Sequence, residues 1–198
     1  MTTKAATRED WLRRVAQAME PNFAALDAPL PKYRVSCSFP STGGLARNRR
    51  TIGQCWSPAA SADGTTEIFV SPTQDDPVNV AAVLAHEMVH AAVGTDAGHG
   101  PAFRRVAVAL GLEGPMTATV AGEAFKQMIG PILAKAGNYP HARLDASQRK
   151  KQTTRLVKCQ CSTCGYTVRT TAKWLDAMGA PLCPAHGEMA VEQMQQVA

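Results

Sequence analysis

A helix that is apolar on nearly every side has to lie inside a protein, and the stretch from about 77 to 93 has that character. Asp76 and Pro77 supply an N-cap and a first helical residue, and Gly94 supplies a stop. Between them Val78, Val80, Val83, Leu84, Met88, Val89 and Val93 leave almost no polar face. Yet the same helix carries His86, Glu87 and His90. Burying two imidazoles and a carboxylate without partners costs on the order of several kcal/mol. A metal ion is a partner that removes this cost. Helical positions four apart share a face, with Cβ atoms about 5–6 Å apart, so both imidazoles can reach one tetrahedral ion at about 2.0–2.1 Å. Glu87 projects beside them, where it can take a proton from water at the metal. The H-E-x-x-H pattern therefore predicts a zinc centre with Glu87 as its catalytic base.

A catalytic zinc needs a third protein ligand and an open fourth position. Asp96 and His99 both lie close behind. His99 lies between Gly98 and Gly100, just before a helix expected to start at Pro101. There the backbone can bend back toward the metal, and imidazole suits zinc at least as well as carboxylate. His99 is the expected ligand. The next helix carries the stripe Phe103, Val106, Ala107 and Leu110, with Gly111 at its end, and a further helix is expected from about 118 to 136. Ahead of the motif, Thr7 and Asp10 open a first helix with Trp11, Leu12, Val15 and Met19 on one stripe, and Pro21, Pro29 and Pro31 punctuate the chain after it. The segments 33–39, 52–56 and 66–70 read as strands.

A second constellation lies near the end of the chain. Cys161-x-x-Cys164 and Cys183-x-x-His186 are two knuckles at the spacing of a structural zinc ribbon. So short a unit cannot build a sufficient core, and zinc can contribute on the order of 10 kcal/mol to folding it. Cys159 is an extra thiol beside the first knuckle. Cys37 and Cys55 stand apart in strand-like segments and read as buried free thiols. The net charge of +5 is unevenly spread. Arg143, Arg149, Lys150, Lys151, Arg155, Lys158, Arg169 and Lys173 face a single acid, Asp145, between His141 and Trp174. Such a run is either a solvated face or a surface for a polyanion. Tyr166 and Trp174 can stack nucleic-acid bases among these charges, or can form a small core for the ribbon.

The stretch HEMVHAAVGTDAGHGPAFRR (86–105) resembles the signature of SprT-like/Spartan zinc peptidases. YPHARLD, KKQTTRLVKCQCSTCGYTVRTTAKWL and GAPLCPAHGEM resemble the tails of small SprT-like proteins of phages and mobile elements. The likeness is strong from about Asp76 to Met189 and only architectural before it. It implies His99 as third ligand, no metal role for Cys159, and work close to DNA.

The expected fold is α+β: a zincin-like metallopeptidase domain over 1–137, a basic linker or arm over 138–155 and a zinc ribbon over 156–198. Two zinc ions per chain are expected, one held by His86, His90 and His99, the other by Cys161, Cys164, Cys183 and His186. The expected reaction is endoproteolysis of DNA-associated proteins. Lys150, Lys151, Arg155, Arg169 and Lys173 are the expected contacts to single- or double-stranded DNA. The alternative is a DNA-binding adaptor whose zincin domain is inactive or regulated. Tyr139, His141 and Arg143 are candidates for an oxyanion donor, and nothing in the sequence singles one out. The polar start MTTKAATRED has no apolar h-region, and no run reaches the ~20 apolar residues of a membrane span. A monomer in the cytoplasm (of the host, if phage-encoded), without membrane contact, is expected.

Overall fold

The structure, a computed structural model, describes residues 5–46, 48, 50–148 and 156–192. It divides into two compact units, Met1–Ser147 and Gln148–Ala198.

The first unit opens with α1 (Arg8–Ala24), capped by the Thr7 hydroxyl, which accepts the Asp10 N–H at 3.1 Å. Trp11, Leu12, Val15, Ala16, Met19 and Phe23 of this helix are buried. Pro21, expected as a break, lies inside the helix, which runs on to Ala24. Its ring has a helical φ, and the amide it lacks removes only one bond of the last turn. Three short strands come next: β1 (Tyr33–Cys37), β2 (Gly53–Trp56) and β3 (Thr66–Val70). They form one sheet in the order β1-β3-β2, with β1 parallel and β2 antiparallel to β3. Then comes α2 (Pro77–Val93), whose first turn is closed by the Asp76 carboxylate accepting the Asn79 N–H at 2.8 Å. It ends at Gly94, with φ 87°.

Helix α2 is the centre of the unit. It packs on β2 and β3 on one side and meets α1, α3 (Pro101–Ala109) and α4 (Glu123–Ala136) on the others. Val80, Ala81, Leu84, Ala85, Met88 and Val89 are fully enclosed, as a helix without a polar face requires. Between α3 and α4 the chain makes a small hairpin, β4 (Leu112–Glu113) with β5 (Val120–Ala121). The helix expected from 118 therefore begins only at Glu123. Thr119 and Val120 are β-branched and favour extended backbone. Past α4, the indole N–H of Trp11 donates to the Gly137 carbonyl at 2.8 Å. Tyr139 joins the core with its ring 4.8 Å from that of Trp11, and the Leu144 N–H reaches the Pro72 carbonyl.

The second unit contains β6 (Leu156–Gln160), β7 (Thr167–Thr171), α5 (Ala172–Met178), β8 (Leu182–Cys183), β9 (Gly187–Glu188) and β10 (Ala190–Val191). Strands β10-β6-β7 make one antiparallel sheet, and β8-β9 a separate hairpin. Among its described residues the core cluster is Cys159, Cys161, Cys183 and Met189, flanked by Val168 and Leu175. Tyr166 and Trp174 are about half exposed, at 48% and 54%. The possibility that they form this core is thus corrected: sulfur atoms occupy the space instead. The chain is α+β throughout, and among the described residues no helix is long and apolar enough to cross a membrane.

Candidate metal centres

His86 and His90 project from one face of α2, a turn apart, while His99 approaches from the Gly98–Gly100 loop before α3. The Nε2 of His99 lies 3.2 Å from the Nε2 of His86 and 3.2 Å from that of His90. Nitrogens held about 2.0–2.1 Å from a tetrahedral ion are about 3.3–3.4 Å from one another, so the three imidazoles have the spacing of a ligand set. These three residues can hold a metal ion. Asp96 is exposed in the turn after α2 and does not belong to the group.

One residue carries all three rings. The Phe103 side chain is fully buried, and its ring centroid lies 4.8 Å from that of His86, 4.5 Å from His90 and 4.9 Å from His99. The sequence shows Phe103 as one more member of an apolar stripe; its role as a floor under the imidazoles emerges only in three dimensions. Burial pushes the His86 pKa down to about 3, helped by the neighbouring His90 and His99, and that of His90 to about 4, with His99 adding to it. Neutral imidazole with a free lone pair is the metal-binding form.

Glu87 points toward the sheet side of α2 and is 6% exposed. Burial raises its pKa to about 8, against a backbone hydrogen bond at Cys55. A nearby cation would act in the opposite direction. The carboxylate fits against β2 because position 53 is glycine. A Cβ there would fall on Oε1 of Glu87 and come within 2.8 Å of Val83 Cγ1. This fit at Gly53 is one that a sequence reading passes over, since a glycine in a strand has many uses. Cys55, on the same strand, is half-buried; burial, with the Glu87 charge, pushes its thiol up to about 12. Cys37 is also half-buried and accepts the Tyr139 hydroxyl at 3.9 Å. Both thiols are free, though less enclosed than expected. Of the oxyanion candidates, Tyr139 is thus engaged with Cys37, and His141 lies between Arg8, at 3.3 Å, and the Pro72 carbonyl, at 2.8 Å.

The second unit brings Cys161, Cys164, Cys183 and His186 together with all ligand atoms within 4.8 Å of one another. The Sγ atoms of Cys164 and Cys183 are 3.7 Å apart, and His186 Nδ1 lies 3.7 Å from Cys161 Sγ and 3.6 Å from Cys183 Sγ. A tetrahedral ion with sulfur at about 2.3 Å and nitrogen at about 2.0–2.1 Å would set these spacings at about 3.8 and 3.5 Å. Backbone groups of Cys164 and Thr163 hold the Cys161 thiol down, to about 6, which favours the thiolate a metal needs. Gly165, at φ 76°, closes the knuckle by donating its N–H to the Cys161 carbonyl. Cys159 is fully buried in the small core and stands outside the ligand group.

Of the expected nucleic-acid contacts, Arg169 and Lys173 are exposed on the second unit, and the Lys173 ammonium lies 5.2 Å from the centroid of the Trp174 ring. Lys150, Lys151 and Arg155 lie outside the described residues. The described residues thus form an α+β protein with two candidate metal centres, one of three histidines and one of three cysteines and a histidine. Compared with known protein families, characterised proteins and solved structures, the chain matches none.

Proposed function

We propose that the chain is a zinc-dependent endopeptidase of the SprT-like/Spartan kind that cleaves proteins associated with DNA. The observation that carries this reading is the set of three mutually close Nε2 atoms with Glu87 next to a ligand on the same helix. Three imidazoles leave one position of a tetrahedral ion open, which distinguishes a working site from a closed structural one. The four-ligand group of the second unit is closed and has the composition of a structural zinc site.

Zinc at the triad supplies Lewis acidity, polarising the scissile carbonyl and making water a nucleophile near neutral pH. The rest falls to the chain. His86, His90 and His99 orient the centre, and Phe103 keeps their rings in place. Glu87 takes the proton of the attacking water and passes it to the leaving amine. Its enclosure against Gly53, one residue along the helix from the ligand His86, supports this role. Gly53→Ala is expected to displace the carboxylate and lower hydrolysis by up to about 10²-fold, with zinc content unchanged. Peptide cleavage and elemental analysis on the same sample check this, and wild-type activity in the variant would show that the fit at Gly53 is unimportant.

The DNA part of the reading rests on the resemblance and on the second unit's surface. Tyr166 and Trp174 expose their rings, Arg169 and Lys173 are exposed on the same unit, and Lys173 lies close to Trp174, a combination that can stack on bases and neutralise phosphates. Binding of labelled oligonucleotides is expected to weaken steeply as salt rises, by about 0.7 in log–log slope for each single-strand phosphate contact. The Arg169→Glu/Lys173→Glu variant should bind more weakly, with a shallower slope, and keep its basal peptidase rate. Fluorescence anisotropy at several salt concentrations tests this; an unchanged slope would remove both residues from the interface.

A further inference from the structure

Thr119 is tied to the triad by a contact that neither the H-E-x-x-H pattern nor the ligand spacing points to. Its Oγ1 lies 2.8 Å from Nδ1 of His86. The residue is the last of the loop that joins β4 to β5, immediately before Val120. We infer that Thr119 is the positioning residue of the metal centre, its hydroxyl oxygen accepting the Nδ1–H of His86 and so fixing the ring's tautomer and aim.

The chemistry comes from the two ring nitrogens. A neutral imidazole has one N–H and one lone pair. Nε2 of His86 faces Nε2 of His99 and must keep its lone pair free if it is to ligate. The proton then belongs on Nδ1, where the Thr119 oxygen stands ready to accept it. Among the described residues, no other triad ring has a protein hydrogen bond on its second nitrogen, so His86 is the ring held from behind. Metal-ligating histidines generally need such a partner, and its loss typically weakens metal binding about 10–100-fold.

The hairpin is built to hold Thr119 still. Leu112 of β4 is buried in the main core, and the Gly122 N–H donates to the Gly111 carbonyl at 3.1 Å across its base. A Cβ at Gly122 would run into the Glu113 side chain, so the two ends of the hairpin close tightly. The tip is turned back by Ala118, whose N–H reaches the Pro115 carbonyl at 2.8 Å. Packing of β5 against α2 then sets the hydroxyl at the height of His86. The hairpin also joins α3 to α4, so the loop carrying His99 and the residue behind His86 are parts of one continuous stretch of chain.

This inference rests on the triad being a zinc site, and the test separates the two claims. Zinc is titrated into the full metal-free chain in competition with a chromophoric chelator, for wild type, Thr119→Val and Thr119→Ser. The cysteine-rich site, built from other residues, is the internal control, and thermal unfolding of each metal-free chain reports on folding. Thr119→Val keeps the shape but has no acceptor, and is expected to weaken the triad step about 10–100-fold. Thr119→Ser restores the acceptor and should recover to within a few-fold of wild type. The second binding step and the metal-free unfolding midpoints should not move. Wild-type triad affinity in Thr119→Val, or equal losses in Val and Ser, would overturn the role of Thr119. A wild-type chain that takes up zinc only at the cysteine-rich site would overturn the triad reading itself, and this assignment with it.

Discussion

Glu87→Gln is expected to lower peptide hydrolysis by about 10²–10⁴-fold, the range typical of losing a positioned general base, while the chain keeps its zinc. The reasoning is local. Glutamine has the size of glutamate, so the fit against Gly53 survives. The amide cannot accept a proton from water, so the chemical step alone is affected. The three imidazoles and Phe103 are untouched, so metal affinity should stay close to wild type. Steady-state cleavage of an unstructured protein, with metal content measured on the same sample, separates the outcomes. Loss of activity together with loss of zinc would make Glu87 a structural support of the site. Full activity with zinc retained would remove Glu87 from the mechanism, whereas a zinc-loaded wild type without hydrolysis would favour the DNA-binding adaptor reading.

The second large effect concerns metal content. Elemental analysis of the folded chain should find close to two zinc ions. His99→Ala should cut this to near one, because two imidazoles of α2 alone leave the ion poorly held, whereas Asp96→Ala should leave it at two. Cys164→Ser should remove the other ion and, with it, the order of the second unit. Among the described residues that unit's core cluster is four residues, three of them cysteines, and structural zinc in small domains contributes on the order of 10 kcal/mol or more to folding. A well-folded second unit in a chain stripped of zinc, seen by its amide spectrum, would contradict the closed-site assignment. If Asp96→Ala strips the triad and His99→Ala does not, the third ligand is wrong.

Local signals in the sequence are clearest where one residue type has one job. Asp76, Pro77 and Gly94 mark the ends of α2 at the observed positions, and the unbroken apolar surface between them announces a buried helix. The three strands of the first sheet also stand out, because β-branched and aromatic residues lie between turn-forming stretches. The β4–β5 hairpin does not, since two-residue strands are too short for alternation to register. In the sequence the stretch 118–122 merges with the helix after it, and Thr119 goes with it. Contacts that join distant segments are equally hidden: Phe103 under three rings, Gly53 against Glu87 and Tyr139 against Trp11 each need the fold before they have meaning. The exposure of Trp174 and Tyr166 is open in the sequence for the same reason, because an aromatic ring in a short metal-dependent unit can face either way.

The burial of Glu87 shows how the site depends on its surroundings. Burial raises the pKa of the Glu87 carboxyl to about 8 and lowers those of His86 and His90 to about 3 and 4. The same apolar packing that makes α2 central therefore favours neutral imidazoles and a neutral carboxyl beside them. Supplying a cation favours the ionised carboxylate and uses the lone pairs. In the proposed peptidase this would couple the order of the site to metal binding.

The most direct measurement is cleavage of an unstructured protein by the zinc-loaded full chain, read as new amino termini by mass spectrometry, with and without single-stranded DNA. Cleavage should stop on chelation, return with zinc and be absent from Glu87→Gln. A chain carrying two zinc ions that yields no new amino terminus under either condition would contradict the proposed peptidase activity.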